Sequence, residues 1–323
     1  MRGLTFVDVC SGAGGLALGL EQAGFEPRLL LDEDTDACRT LRANRPQWNV
    51  LQADLLDFDP SEHPESYDVD LLSAGLPRVK SNATAARADS GDEERLLKAA
   101  VYLTHAVRPR ALLVENVPTL AHSERFRDFR DFARAELEHL GYEFSWFVVN
   151  AADFGVPQDR KQGVLVAIKK QWFSSFQPPT PTLTHHLSVG EALGPSMRSR
   201  GWRDADRWAT QATTVAPTLV GGSKNRGGAD LGPAGAKRRW EHLGVNAHSL
   251  ADEIPGPDFM WAPEKGRVGM VRLTVGQAAL LQGFPEDWEI TGMKTARYRQ
   301  IGHASPPPVG EALGRAVARA LHS

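Results

Sequence analysis

Cysteine is nearly missing: the 323 residues contain only Cys10 and Cys38. That excludes a disulfide framework and a cysteine-held metal cluster, and it fits a reducing compartment. Long apolar runs are missing as well. No stretch approaches the roughly 18 residues that a membrane span requires. The start, MRGLTFVDVCSGAGG, has neither the apolar run nor the small-residue cleavage site of a secretion signal. The expectation is a cytoplasmic protein that meets no membrane. Histidines at metal-site spacing are also lacking, because His185 and His186 stand in a Pro/Thr-rich stretch with no third ligand nearby. No metal is expected, and no internal repeat or low-complexity tract stands out. What remains is an ordinary globular composition, 41% hydrophobic and 24% charged, long enough for one large domain or two unequal ones.

A large excess of either charge is absent too, since the formal net charge is −3. The distribution is less even. From Pro195 to Trp240, nine cations (198, 200, 203, 207, 224, 226, 237, 238 and 239) face three aspartates (204, 206 and 230), a local surplus of six. Such a patch is either a footprint for phosphates or a solvated face.

The first half alternates strand-like and helix-like segments. LTFVDVC, PRLLLDED, WNVLQADL, DVDLLSAG and RALLVENV are short apolar runs rich in β-formers. Between them lie TDACRTLRANR and EERLLKAAVYLTHAVRP at helical spacing. SERFRDFRDFARAELEHLG follows the last strand, with Phe126, Phe129, Phe132 and Leu137 on one face. Strands alternating with helices predict an α/β fold, a mostly parallel sheet with helices on both faces. The pattern breaks at SSFQPPTPTLTHH and becomes glycine-rich, irregular and studded with tryptophan. The expected organisation is a large domain over 1–175, a smaller irregular one over 176–270, and a closing segment over 271–323. Trp202, Trp208 and Trp240 are expected in the core of the small domain.

The turn after the first strand carries Gly12, Gly14 and Gly15 just before a helix. Glycines there let backbone amides at a helix start approach a ligand closely. Asp32 follows about 20 residues on, at the end of the second strand, where an acid can take ribose hydroxyls. Asp54 ends the third strand. A mononucleotide-like cofactor is expected over a merely structural turn.

This stretch resembles the first motif of the cytosine-C5 DNA methyltransferase family. Further matches fall in the family's order: LLDEDTDACRTLRANRP, ADLLDFD, RPRALLVENVP, ADFGVPQDRKQGVLVA, RLTVGQAALLQGFPEDW and YRQIGHASPPPVGEALGRAVARAL. The resemblance implies a Rossmann-like S-adenosylmethionine-dependent methyltransferase fold with a target-recognition domain. It implies S-adenosyl-L-methionine as cofactor, held by Asp8, Gly12, Gly14, Gly15, Asp32, Asp54 and the residue at His303. It implies duplex DNA with an extruded cytosine as substrate, handled by Glu115 and Arg160.

One loop departs from the pattern. The family reads Gly-Pro-Pro-Cys-Gln, and its thiolate adds to cytosine C6 so that C5 can take a methyl group. Here the loop is GLPRVKSN, which puts Arg78 at the cysteine position and Val79 at the glutamine. Arginine stays protonated and has no lone pair with which to attack. Gln162 stands where a second arginine is usual, and His303 where an asparagine is usual. The expectation is a pseudoenzyme that keeps its ligands and has lost thiolate-dependent transfer. Its setting would be DNA modification and restriction, beside a partner methyltransferase or a restriction or repair endonuclease. The alternative is an active transferase using a non-standard mechanism, and an RNA-methylating relative ranks last. Lys80, Lys224, Arg226, Lys237 and Arg238 are the candidate DNA contacts.

Overall fold

A computed structural model describes residues 3–79, 90–221 and 229–323. Two compact units emerge. The first comprises Met1–Val149, Lys161–Thr180 and Val309–Ser323, and the second Asn150–Arg160 and Pro181–Pro308. These divide differently from boundaries drawn on composition. The short run 150–160 belongs to the second unit, and only the last helix returns to the first.

Among the described residues, nine strands appear in chain order. They are β1 (Leu4–Val9), β2 (Phe25–Asp32), β3 (Val50–Gln52), β4 (Leu71–Gly75), β5 (Ala111–Asn116), β6 (Tyr142–Asn150), β7 (Gln158–Asp159), β8 (Lys161–Lys169) and β9 (Ala216–Pro217). The first unit is built on a seven-stranded sheet in the order β3-β2-β1-β4-β5-β8-β6. Strands β1 to β5 run parallel, and β8 runs antiparallel to β5. Every residue of β1 and of β5 is buried, as a parallel strand covered on both faces requires. This is the S-adenosylmethionine-dependent methyltransferase fold.

Helices Thr35–Asn44, Ser90–Val107 and Arg127–His139 form where the apolar spacing predicts them. In the last of these, Phe129, Ala133 and Leu137 recur every four residues and are buried. The final helix, Pro307–Leu321, presses against the helix Gly15–Gln22. A Cβ at Gly314 would come within 2.7 Å of Ala23 Cβ, so only glycine fits.

The second unit has little regular structure. Strands β7 and β9 pair in parallel, and short helices supply the remainder. Helices Val189–Arg198 and Val275–Leu281 each begin with a reciprocal capping box, Ser188 with Glu191 and Thr274 with Gln277. Trp202, Trp208 and Trp240 are buried. Trp208 Nε1 donates to Leu243 O at 3.0 Å and Trp202 Nε1 to Phe259 O at 2.9 Å. The tryptophans therefore form this unit's core. Among the described residues, no helix is long and apolar enough to cross a membrane.

Candidate active site

The glycine turn sits at the carboxyl end of β1. Cys10, Gly12 and Gly14 all have positive φ, at 55°, 52° and 82°. Glycine adopts these angles freely, whereas at Cys10 the left-handed conformation costs about 1 kcal/mol. Gly15 then opens the helix Gly15–Gln22. Asp32, the last residue of β2, holds the turn from the side. Its Oδ2 accepts from Gly12 N at 2.7 Å and its Oδ1 from Asp34 N at 2.8 Å. Burial raises the Asp32 pKa above the ordinary carboxylate value, and those two amides offset part of the rise. Nothing lies within 4 Å of where a Cβ on Gly12 would stand, so the turn leaves room beside its backbone.

Asp8 is fully buried beneath this turn. Its Oδ1 accepts from Ser73 Oγ at 2.5 Å, while Oδ2 has no hydrogen-bond partner. Burial is the main reason its pKa is pushed up to about 7, with the neighbouring Asp32 charge adding to it. Asp54, half-buried two residues past β3, caps the next turn through Leu56 N at 2.9 Å. The turn, Asp32 and Asp54 thus stand at the ends of three adjacent parallel strands, where open α/β sheets take ligands.

The loop 76–79 follows β4 and is fastened by Asn116, at the end of β5. Asn116 Oδ1 accepts from Val79 N at 3.0 Å, and Nδ2 donates to Pro77 O at 3.1 Å and Leu76 O at 3.3 Å. Leu76 and Val79 are buried in the core. Arg78, between them, turns toward Glu115, the residue before Asn116. Arg78 Nη2 lies 3.5 Å from Glu115 Oε1, with side-chain exposures of 28% and 4%. The pair is ionic without being a hydrogen bond, and Arg78 Nε, Arg78 Nη2 and Glu115 Oε1 lack hydrogen-bond partners. Glu115 faces Val164 across the sheet. Gln162, two residues away on β8, therefore shares its face of the sheet.

Both cysteines sit where burial disfavours the thiolate. Burial, then the charge of Asp32, pushes the Cys38 thiol up to about 11, and its Sγ lies 3.4 Å from Asp32 O. Burial and the surrounding carboxylates push Cys10 further still. Thiols so raised are not thiolates at neutral pH.

Other residues singled out by motif belong to the second unit. Arg160 lies in the second unit, fully buried. Its Nη1 donates to Leu219 O at 2.9 Å, and its Nη2 to Ala304 O at 3.0 Å and Gly302 O at 3.1 Å. It holds three carbonyls of its own unit together, a structural office that a motif letter does not reveal. Gln158 does similar work, donating to Gln282 Oε1 at 2.8 Å and accepting from Leu219 N at 2.8 Å. His303 ends the helix Lys294–His303 and is exposed, with its ring against Gly221.

Of the candidate DNA contacts, Lys80, Lys224 and Arg226 lie outside the described residues. Lys237 is paired with Asp230 at 2.7 Å, and Arg239 lies 3.7 Å from Asp159. Arg198, Arg200 and Arg207 also have acidic partners. Among the described residues of the basic stretch, Arg203 and Arg238 are exposed and without an ion pair.

Residues 4–319 match the family described as C-5 cytosine-specific DNA methylase. The Type II methyltransferase M.NaeI of Lentzea aerocolonigenes is 42% identical, over 100% of this chain and 76% of that protein. M.NgoMIV of Neisseria gonorrhoeae, also a Type II methyltransferase, is 37% identical over 98% of both chains. In fold, the chain is similar to the Dnmt2 methyltransferase of S. pombe, with a TM-score of 0.67, 14% identity and coverage of 99% of this chain and 100% of that one.

Proposed function

From the premise that this chain belongs to the C-5 cytosine-specific DNA methylase family, we propose that it binds S-adenosyl-L-methionine and duplex DNA while the thiolate route to C5 is closed. The observation that carries this is Arg78, in the position where the family places its cysteine, turned onto Glu115. Cytosine C5 becomes nucleophilic only after addition at C6, and a protonated guanidinium has no lone pair to add. The charge that replaces the thiol also neutralises the carboxylate that would meet the base.

The family is S-adenosylmethionine-dependent, and the glycine turn fits such a cofactor. Gly12 and Gly14 bring backbone close at an open place, Asp32 stands ready for ribose hydroxyls, and Asp54 lies at the neighbouring strand end. When bound, the cofactor supplies a methyl group. Exposed Arg203 and Arg238, with Lys237, are assigned to phosphate contacts. Arg160 keeps the shape of its unit rather than touching the base. The relatives' description as Type II methyltransferases supports a modification and restriction setting, alongside a partner methyltransferase or an endonuclease.

The test is transfer of labelled methyl groups to varied-sequence duplexes by the native protein and by Arg78→Cys, with capture on duplexes bearing 5-fluorocytosine. Native protein that binds DNA but neither transfers nor is captured supports the proposal, and capture of the variant locates the block at Arg78. Transfer by the native protein overturns it. Mass spectrometry of the product nucleosides would then identify the atom modified by a non-standard mechanism.

A further inference from the structure

The second unit carries a groove of about 480 Å³ that involves neither the cofactor turn nor Arg78. Three cations line it, Arg200, Lys294 and Arg297, together with two acids, Asp252 and Glu253. Two of the cations are engaged with the groove's own acids. Lys294 Nζ donates to Asp252 Oδ1 at 2.9 Å and to Leu250 O at 2.6 Å. Arg200 Nη1 donates to Glu253 Oε2 and, at 3.2 Å, to Ile254 O. The acids keep 87% and 73% of their side chains exposed, so water screens both pairs and they hold weakly.

Arg297 differs from the other two. It is half-buried and has no ion pair among the described residues. Its Nε is enclosed without a partner, whereas its terminal nitrogens are not enclosed and meet no acceptor among the described residues. Lys294 and Arg297 stand about one turn apart on the helix Lys294–His303, on one face and within its first four residues. Cations there oppose the helix dipole, and no acid occupies the first turn to offset them. The arrangement is unfavourable for the helix itself, so its use lies in what the groove holds.

The ligand must be anionic, and the chain's own carboxylates narrow its chemistry. They already meet two of the cations, so an incoming group has to outcompete them. A phosphate offers more acceptor oxygens than a carboxylate and, as a monoester, more charge. Guanidinium holds it through paired donors and ammonium as a point charge. Among the described residues no aromatic side chain lines the groove, so no base stacks there and the groove reads phosphate rather than sequence.

We infer that this groove is a phosphate-binding site, in which Arg297 takes the oxyanion while Lys294 and Arg200 leave Asp252 and Glu253 to join it. The phosphate is a backbone phosphodiester of duplex DNA or a free phosphate compound. The first source rests on reading the chain as a DNA-binding protein, and the second does not.

Two measurements on the full chain separate the sources. One follows the phosphorus resonance of inorganic phosphate at fixed ionic strength. The other follows binding of two unrelated duplexes as salt is varied. If the source is DNA, Arg297→Gln should weaken both duplexes about fivefold to tenfold at about 0.1 M salt and lower the salt slope by about 0.9. Lys294→Gln should do the same, and because Lys294 is partly exposed it tests the site even where Arg297→Gln fails to fold. If the source is free phosphate, the native protein should broaden the phosphorus line, Arg297→Gln should abolish the broadening, and duplex binding should not change. In either case Asp252→Asn combined with Glu253→Gln should tighten binding severalfold, because the competing carboxylates are gone. An unbroadened phosphorus line together with unchanged salt slopes overturns the inference. So does weaker binding by the doubly neutralised protein, which would make the acids part of the ligand's site and not its rivals. If the native protein binds no duplex, the DNA-binding reading fails, and the phosphorus line alone decides the inference.

Discussion

Arg78 Nη2 stands 3.5 Å from Glu115 Oε1, close enough for the charges to attract and not aligned as a hydrogen bond. The two partners are unequal. Glu115 is almost wholly buried, whereas Arg78 keeps more than a quarter of its side chain in solvent. Removing one partner of such a pair therefore depends on which one is left behind.

Arg78→Met leaves a buried carboxylate without its countercharge and should destabilise the protein by about 1–3 kcal/mol. Glu115→Gln leaves an arginine whose side chain is 28% exposed, against 4% for Glu115, and should cost less. Urea unfolding at pH 7 checks the order. Equal losses would mean that Glu115 finds compensation elsewhere.

Asn116 makes the bonds that give the loop its shape, accepting from Val79 N and Val117 N and donating to Leu76 O and Pro77 O. Asn116→Ala strands several buried groups and should cost about 2–4 kcal/mol. The same substitution combined with Arg78→Cys should lower 5-fluorocytosine capture relative to Arg78→Cys alone, since a thiol on a loosened loop no longer points to one place. Undiminished capture would show that the core side chains Leu76 and Val79 hold the loop unaided.

Much of this was legible in the chain. The apolar runs marked β1 to β5 but not β6 or β8, and the glycines with Asp32 marked the turn that β1 and β2 build. Periodicity does not encode strand direction, so the antiparallel β8 was not foreseen beyond a mostly parallel sheet. The basic stretch was readable only as two alternatives, phosphate footprint or solvated face, for a related reason. A charge count over 195–240 cannot see that Arg200 meets Glu253 and Arg239 meets Asp159, acids outside the window. Arg160 was read from its motif as a base contact. Its carbonyl partners, at 219, 302 and 304, are distant in sequence and carry no side-chain signal.

The two native thiols should be inert in the folded protein. With Cys38 pushed up to about 11, roughly a thousandth of it is thiolate at pH 8, and Cys10 is raised further. A chromogenic disulfide reagent should react slowly until denaturant is added and then release two equivalents. Arg78→Cys should add a third thiol that reacts first. Fast reaction of either native cysteine would reopen the question of a substitute nucleophile.

Asp8 makes stability depend on pH, and the sign follows from its environment. Its carboxyl is pushed from an ordinary value of 3.8 up to about 7, first by burial. The native state therefore binds this proton more tightly than the unfolded chain does. Its contribution is fully favourable below about pH 4, declines as pH rises toward 7, and is level above that. The span corresponds to something on the order of 4 kcal/mol. Asp32, raised in the same direction, adds to the gradient. Asp8→Asn has no proton to lose, so its unfolding free energy should fall less between pH 5 and pH 8 than that of the native protein. The slope that survives belongs to Asp32 and the other carboxylates. A slope unchanged in Asp8→Asn would mean that Asp8 stays ionised throughout, with its Oδ2 satisfied by water entering beneath the turn.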